Sequence, residues 1–317
     1  MQGLEMPTAS MVTLAIVQAL LMLALAPLAT GFSRVIRAKM HSRRGPGVLQ
    51  DYRDIFKLLR RQEISPINSG TIFTVTPYIL IVTMLLVGMA LPAVTNESPF
   101  PIAGDIITDI YLFAIFRFFF SLSGLDSGSM FAGIGASREL TLGVLVEPIL
   151  MLSIVIMALI AGTTDLGFIS KHMATETWSA PMATLMAGAA CAFAVFIEMG
   201  KLPFDSAEAE QELQEGPVTE YAGAGLALMK IGLGLKQLVV AQLFLALFIP
   251  FGKAADFTLP HVLMGFVVLF IKLFIVFLIA GLVENSVART RFLKTHHLTW
   301  SGFGVAVLGF AFYLTGL

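Results

Sequence analysis

The sequence predicts an all-α polytopic membrane protein, a single membrane domain over residues 1–317, and three observations carry that prediction. Hydrophobic residues make up 57% of the chain and charged residues 13%, where soluble domains carry roughly 25% charged residues, and the mean hydropathy is +0.86. Apolar runs long enough to cross a bilayer recur eight times, at about 11–32, 72–95, 104–124, 140–162, 180–200, 231–251, 259–283 and 298–316. The 20 basic residues are also sorted: fifteen fall in the odd-numbered connections, two (Lys171 and Lys253) in the even-numbered ones, and three (Arg117, Lys236 and Lys272) within spans. By the positive-inside rule, this places the basic loops in the cytoplasm and both termini on the outer side of the membrane.

Residues 1–10 lack the basic segment of a secretory signal, so the first apolar run is expected to be retained as a span. The connection after it holds nine basic residues between Arg34 and Arg61. Topology accounts for that charge, and no nucleic-acid partner is implied. Gly45-Pro46-Gly47 makes a turn, and Val48 to Leu59 reads as an amphipathic surface helix. With Arg43 and Arg44 before it and Asp51, Asp54 and Lys57 on it, this loop is a candidate docking surface.

Arg117 falls midway through span 3, where an unpaired charge costs several kcal/mol, so it must face the bundle and find a partner. Span 4 supplies candidates in Glu139 at its start and Glu147 two turns deeper. Pro148 frees a carbonyl one turn back, near Val144. Lys236 either snorkels to the cytoplasm or joins a buried ion pair, and Lys272 lies deeper in span 7. Beyond Glu284, Arg289 and Arg291 are placed to pair with the acidic residues of 205–215 on the same side. Cys191, the single cysteine, reads as a small buried apolar residue, and His296-His297 has no carboxylate or cysteine at ligand spacing, so no metal site is expected.

Residues 198–221, EMGKLPFDSAEAEQELQEGPVTEY, hold seven of the 21 carboxylates and one basic residue, Lys201. Pro203 is expected to stop the preceding helix. Asp205 with Glu208 forms a capping box and Gly216-Pro217 a terminator, which predicts a short helix over about Ser206–Glu215. On such a helix Asp205, Glu208, Glu212 and Glu215 share one stripe and Glu210 points elsewhere. Like charges this close perturb one another's titration, so the stripe either exchanges protons or binds cations, unless it is simply a solvated acidic loop.

The pattern E-x-x-K-x-P-F-D-x-x-E-A-E-x-E-L-x-x-G-x-x-T-E-Y, ending at Glu220-Tyr221, resembles the signature loop of the NuoH family of membrane proteins in respiratory complex I. The likeness extends to HSRRGPGVLQDYRDIFKLL, ASRELTLGVLVEP and ENSVARTRF, and so covers essentially the whole chain. It is closer to the branch of formate hydrogenlyase and hydrogenase-4, of the component C type, through EMGKLPFD and AEAEQELQEGP. The resemblance implies a non-catalytic membrane-anchoring subunit that joins a cytoplasmic electron-transfer arm to proton-moving membrane partners. Those partners would be the hydrogenase large and small subunits, an iron-sulfur subunit and antiporter-like subunits. The nickel-iron centre and iron-sulfur clusters would lie in them, with no cofactor in this chain. By the same resemblance Glu147, nine residues after Arg138, takes the place of a carboxylate near the quinone chamber, and Glu220 belongs with the acidic coupling residues.

Two other readings stay open: a quinone-site subunit as in complex I, against which the first loop's reduction to a single Gly-Pro-Gly counts, and a stand-alone cation or proton transporter, against which the lack of an internal repeat counts. No Walker A loop, dinucleotide-binding glycine pattern, HExxH or CxxC is present.

Overall fold

The computed structural model describes residues 9–101, 103–175, 179–254, 258–289 and 292–316. Among these, eight helices are long and apolar enough to cross a bilayer: α1 (Ala9–Met40), α3 (Thr71–Ala90), α4 (Ile106–Asp126), α5 (Met130–Ala161), α7 (Pro181–Glu198), α9 (Gly223–Phe248), α10 (Leu259–Ser286) and α11 (Thr295–Thr315). Three shorter ones sit at the ends of the bundle: α2 (Gln50–Leu59), α6 (Leu166–Thr175) and α8 (Glu210–Leu213). No strand occurs among the described residues, only isolated bridges such as Thr95 to Ala254 and Asp105 to Asp165.

In hydrocarbon every backbone amide must be satisfied within its own helix. Near-continuous apolar sequence therefore yields helices here, with prolines tolerated at helix starts, as at Pro181 and Pro260, or within packed spans, as at Pro27, Pro77 and Pro148. Helix α9 is the hub, with 78% of its spanning window buried, against 22% for α10 and α11 at the periphery. Around it, α10, α1, α3, α4, α5 and α7 pack in succession, and α11 closes on α5 and α7.

Two ends of the bundle are distinct. At the basic end the loops interlock: Asp126 at the end of α4 accepts hydrogen bonds from Gly70 N and Phe73 N at 2.9 Å, and so caps α3 from another helix. The Gly-Pro-Gly turn folds back on α1 so closely that a Cβ on Gly31 would lie 2.1 Å from the Val48 carbonyl oxygen. Helix α2 lies against α1 through Asp51, which accepts from Thr30 Oγ1 at 2.6 Å and pairs with Arg34. At the opposite end Lys171 pairs with Glu97 at 2.9 Å and the Lys253 ammonium meets Ser170.

The structure departs from expectation in four places. Helix α5 begins at Met130, a full ten residues before the apolar run, because Ala-Ser-Arg-Glu-Leu continues the helix and buries its small residues Ala132, Gly135 and Ala136. The connection from α4 is therefore short. Helix α6 lies in what read as a plain connection. Most consequentially, the expected helix over Ser206–Glu215 is reduced to Glu210–Leu213. Positive φ angles at Ala209, Gln214 and Glu215 break it at both ends, and Asp205 makes no cap because its carboxylate pairs with Arg289 instead. A short polar helix gains little from its own hydrogen bonds, so the ion pairs made by its carboxylates decide the path. Likewise α7 ends at Glu198, at the left-handed Gly200, before Pro203 is reached.

Candidate functional site

The site is a buried ionic cluster where α4, α5, α7 and α9 meet near the basic end. Arg117 of α4 pairs through its two terminal nitrogens with Glu147 of α5 and Glu198 of α7, and its Nε lies 3.8 Å from Glu139. Lys236 of α9 closes the cluster, with its Nζ 3.0 Å from Glu198 and 3.6 Å from Glu139. The ammonium also stands 5.4 Å from the centre of the Phe116 ring, a cation-π contact. Arg117, Glu198 and Lys236 are all buried.

Local sequence makes room for this. A Cβ on Gly143 would lie 2.5 Å from Arg117 Cδ and 2.7 Å from Nε and Nη1, so the guanidinium stem lies in a slot that only glycine leaves open. Glu139 and Glu147 are two helical turns apart on α5 and flank that slot. Glu147 differs from its neighbours in being 38% exposed, with Val144 and Met151 exposed beside it, so one arm of the cluster reaches the lateral surface of the bundle.

A small cavity of about 40 Å³ opens between this cluster and the acidic loop, lined by Arg117, Glu139, Glu198, Asp205, Glu208 and Lys236 among others. Burial, then the carboxylates of Glu139 and Glu215, push the Glu208 carboxyl up to about 7. Beyond it, burial lowers the Lys201 ammonium from its ordinary range, opposed by Glu284, which stands 4.0 Å away and pairs with Arg37 of α1. A run of ionisable groups thus leads from Glu147 at the lateral face, through Arg117, Glu198 and Glu139, to Glu208, Lys201 and Glu284 at the basic end.

The chemistry this arrangement can support is the binding of a proton or a cation. The Arg117 cluster holds one more carboxylate than cations, and in a low-dielectric interior that excess is met by binding a proton or by drawing in a cation. No three His, Cys, Asp or Glu side chains among the described residues converge as a metal site.

Of the residues expected to act together, Arg117, Glu139, Glu147, Glu198 and Lys236 meet directly, and Lys236 takes the buried ion pair rather than snorkelling. Asp205 and Glu208 join them at the cavity. The single acidic stripe does not exist: Asp205 pairs with Arg289, and Glu212 pairs with Arg138 at 2.7 Å, which lowers its carboxyl. Glu215 lies near enough to Glu208 to repel it, and Glu220, half-buried past the turn at Gly216–Val218, does not line the cavity. Lys272 is also elsewhere. It donates to the carbonyls of Ile249 and Phe251 at the opposite end, where α9 leaves free acceptors.

In the docking loop Arg43, Arg44 and Lys57 are exposed, while Asp51 and Asp54 are drawn to Arg34. Arg291 lies outside the described residues. Sequence reasoning missed the group formed by Lys201, Glu284 and Arg37, whose members come from three distant segments with no shared spacing. It also missed Asp109, an acidic residue one turn inside α4 that hides at the edge of an apolar run.

Residues 12–314 match the family model described as NADH dehydrogenase. The chain is 59% identical over 307 residues to hydrogenase-4 component C of Escherichia coli (strain K12), covering 97% of each. It is 53% identical over 295 residues to formate hydrogenlyase subunit 4 of the same organism, covering 93% of this chain and 96% of that one. Among solved structures, a chain of the membrane-bound sulfane sulfur reductase, an archaeal respiratory membrane complex, superposes with a TM-score of 0.80 at 25% identity, covering 93% of this chain and 98% of that chain. With a model matched over nearly its whole length and relatives this similar along theirs, the chain belongs to the NADH dehydrogenase family of polytopic membrane subunits, and within it stands with the hydrogenase-4 and formate hydrogenlyase proteins.

Proposed function

We propose that this chain is the membrane-anchoring and coupling subunit of a multisubunit nickel-iron hydrogenase complex of the formate hydrogenlyase or hydrogenase-4 type. The observation that carries the reading is that one side chain, Arg117, joins a carboxylate on the basic-end cavity, Glu198, to a carboxylate that opens on the lateral face, Glu147. A charge change at either surface is thereby felt at the other through groups in contact. The chain itself is non-catalytic. The hydrogenase large and small subunits and an iron-sulfur subunit dock at the basic end and hold the nickel-iron centre and clusters, while antiporter-like membrane subunits dock laterally against the Glu147 face. The basic end faces the cytoplasm, and both termini lie in the periplasm of a bacterial inner membrane.

The relatives support this assignment, since hydrogenase-4 component C and formate hydrogenlyase subunit 4 match along almost their entire lengths. The test is purification of the tagged chain in mild detergent, followed by hydrogen turnover in liposomes. Hydrogenase subunits should co-purify, and Arg117→Gln should lower the protons moved per hydrogen turned over in complexes that remain assembled. Purification of the chain alone, or unaltered coupling in that variant, would sink the proposal.

A further inference from the structure

The Arg117 cluster lies near the basic end, and the half of the bundle beyond it holds a second ionisable group with different surroundings. Asp109, one turn into α4, is 2% exposed, and neither carboxylate oxygen has a hydrogen-bond partner. It faces a cavity with room for about one water molecule where α4, α5, α6 and α9 converge, lined by Phe113, Leu150, Ile154, Leu166 and Leu243 among others. No other wall of that cavity carries a polar side chain.

A structural role for an ionised Asp109 finds no support in this geometry. A carboxylate in the first turn of a helix usually accepts from the free backbone N–H groups there, and both oxygens of Asp109 accept nothing. The charged group that acts on it is another carboxylate, Asp105, whose backbone bridges to Asp165. The elements packed against the cavity, α5, α6 and α9, contribute only apolar side chains to it. A single water cannot satisfy a carboxylate, and an ion left bare in such a place costs several kcal/mol, whereas a neutral carboxylic acid costs far less.

Asp109 also stands in register with the cluster. It precedes Arg117 by eight residues on α4, about 12 Å along the helix. Leu150 and Ile154 follow Glu147 at one and two turns on α5, so the same two helices carry both sites, with Phe113 and Leu150 between them. We propose that Asp109 is a second proton-binding site, a carboxyl that carries its proton in the half of the bundle opposite the basic end and exchanges it with the Arg117 cluster across the Phe113–Leu150 layer. The proton leaves Asp109 towards the opposite end, and the vacated oxygen is reprotonated from the Glu147 side through water admitted into the cavity.

Binding is independent of the coupling role proposed above, whereas exchange rests on it, and the two are measured separately. Infrared spectra of the intact complex should show the carbonyl stretch of a neutral carboxylic acid that shifts in heavy water, vanishes in Asp109→Asn and moves in Asp109→Glu. In liposomes the protons moved per hydrogen turned over should fall about tenfold or more in Asp109→Asn and recover in Asp109→Glu, as expected when a positioned proton carrier is removed and restored. An acid band unchanged in Asp109→Asn overturns the proposal, as does a band that vanishes while proton transfer stays at the wild-type ratio. If the wild-type complex moves no protons, the coupling role fails and with it the exchange, while the infrared band still decides whether Asp109 holds a proton.

Discussion

Lys236 and Arg117 grip Glu198 from two sides: Lys236 Nζ lies 3.0 Å from one carboxylate oxygen while the Arg117 guanidinium engages the other. Removing that carboxylate takes away the partner that Arg117 and Lys236 share and leaves them to Glu139 and Glu147, and breaking a buried pair by deleting one partner costs about 3–5 kcal/mol. Glu198→Gln should therefore lower the unfolding midpoint in detergent markedly. Glu147→Gln, at a partner 38% exposed, should lower it much less while still reducing proton coupling. Equal destabilisation by the two would contradict the assignment of Glu198 as the centre of the cluster.

Glu208 makes stability depend on pH. Its carboxyl is raised from 4.5 to about 7 in the folded chain, so between those values the folded state holds a proton that the unfolded state has released. Stability then falls as pH rises through this window and is flat above it. Glu208→Gln removes the penalty, and its melting temperature relative to wild type should rise from pH 5 to pH 8. A difference independent of pH would show that Glu208 is not enclosed.

The pairs Asp205 with Arg289 and Glu212 with Arg138 lie at the rim, where exposed ion pairs contribute well under ~1 kcal/mol. Asp205→Asn and Glu212→Gln should leave the complex assembled, with little change in melting temperature, and lower hydrogen turnover or its proton coupling. Glu97→Gln, in an exposed pair with Lys171 at the opposite end, serves as the comparison and should change neither. Indistinguishable activity in all three assembled variants would reduce the acidic loop to a solvated surface.

Asp126 caps α3 across the α3–α4 contact. Asp126→Ala should cost about 1 kcal/mol, the usual worth of a lost helix cap, and speed amide exchange over the first turn of α3 without altering proton coupling. Unchanged exchange at Phe73 would refute the cap.

Orientation has its own test. A reporter enzyme joined to the C-terminus should behave as periplasmic, as the fifteen-to-two division of basic residues between the two sides requires. Cytoplasmic activity from that fusion would reverse the side on which the soluble partners dock.

The spans were legible because hydrocarbon leaves the backbone no choice but helix, and the partnership of Arg117 with Glu139 and Glu147 followed from the cost of a lone buried charge. The acidic loop was not. Its capping pattern describes what residues 205–215 would do alone; the sequence places Arg289 to meet these carboxylates, as it does at Asp205, but gives no sign that Arg138 of α5 takes Glu212. Lys272 misled for a related reason: its depth in the run was read correctly, but a four-carbon stem lets the charge reach the carbonyls of Ile249 and Phe251 just past the end of α9 rather than the cluster. Asp109 shows the opposite failure, a charge at a run's edge that ordinary counting assigns to water.

The glycine slot at position 143 also fixes how the cluster can move. With its stem pressed against the α5 backbone and its nitrogens held by Glu147 and Glu198, the Arg117 side chain cannot swing between surfaces as a mobile arm. It is a stationary post, and under the coupling role proposed above it is the carboxylates and their protons that would rearrange around it. A single methyl group at residue 143 would push the Arg117 stem off the α5 backbone, so that an uncharged position bears directly on where the buried charge sits.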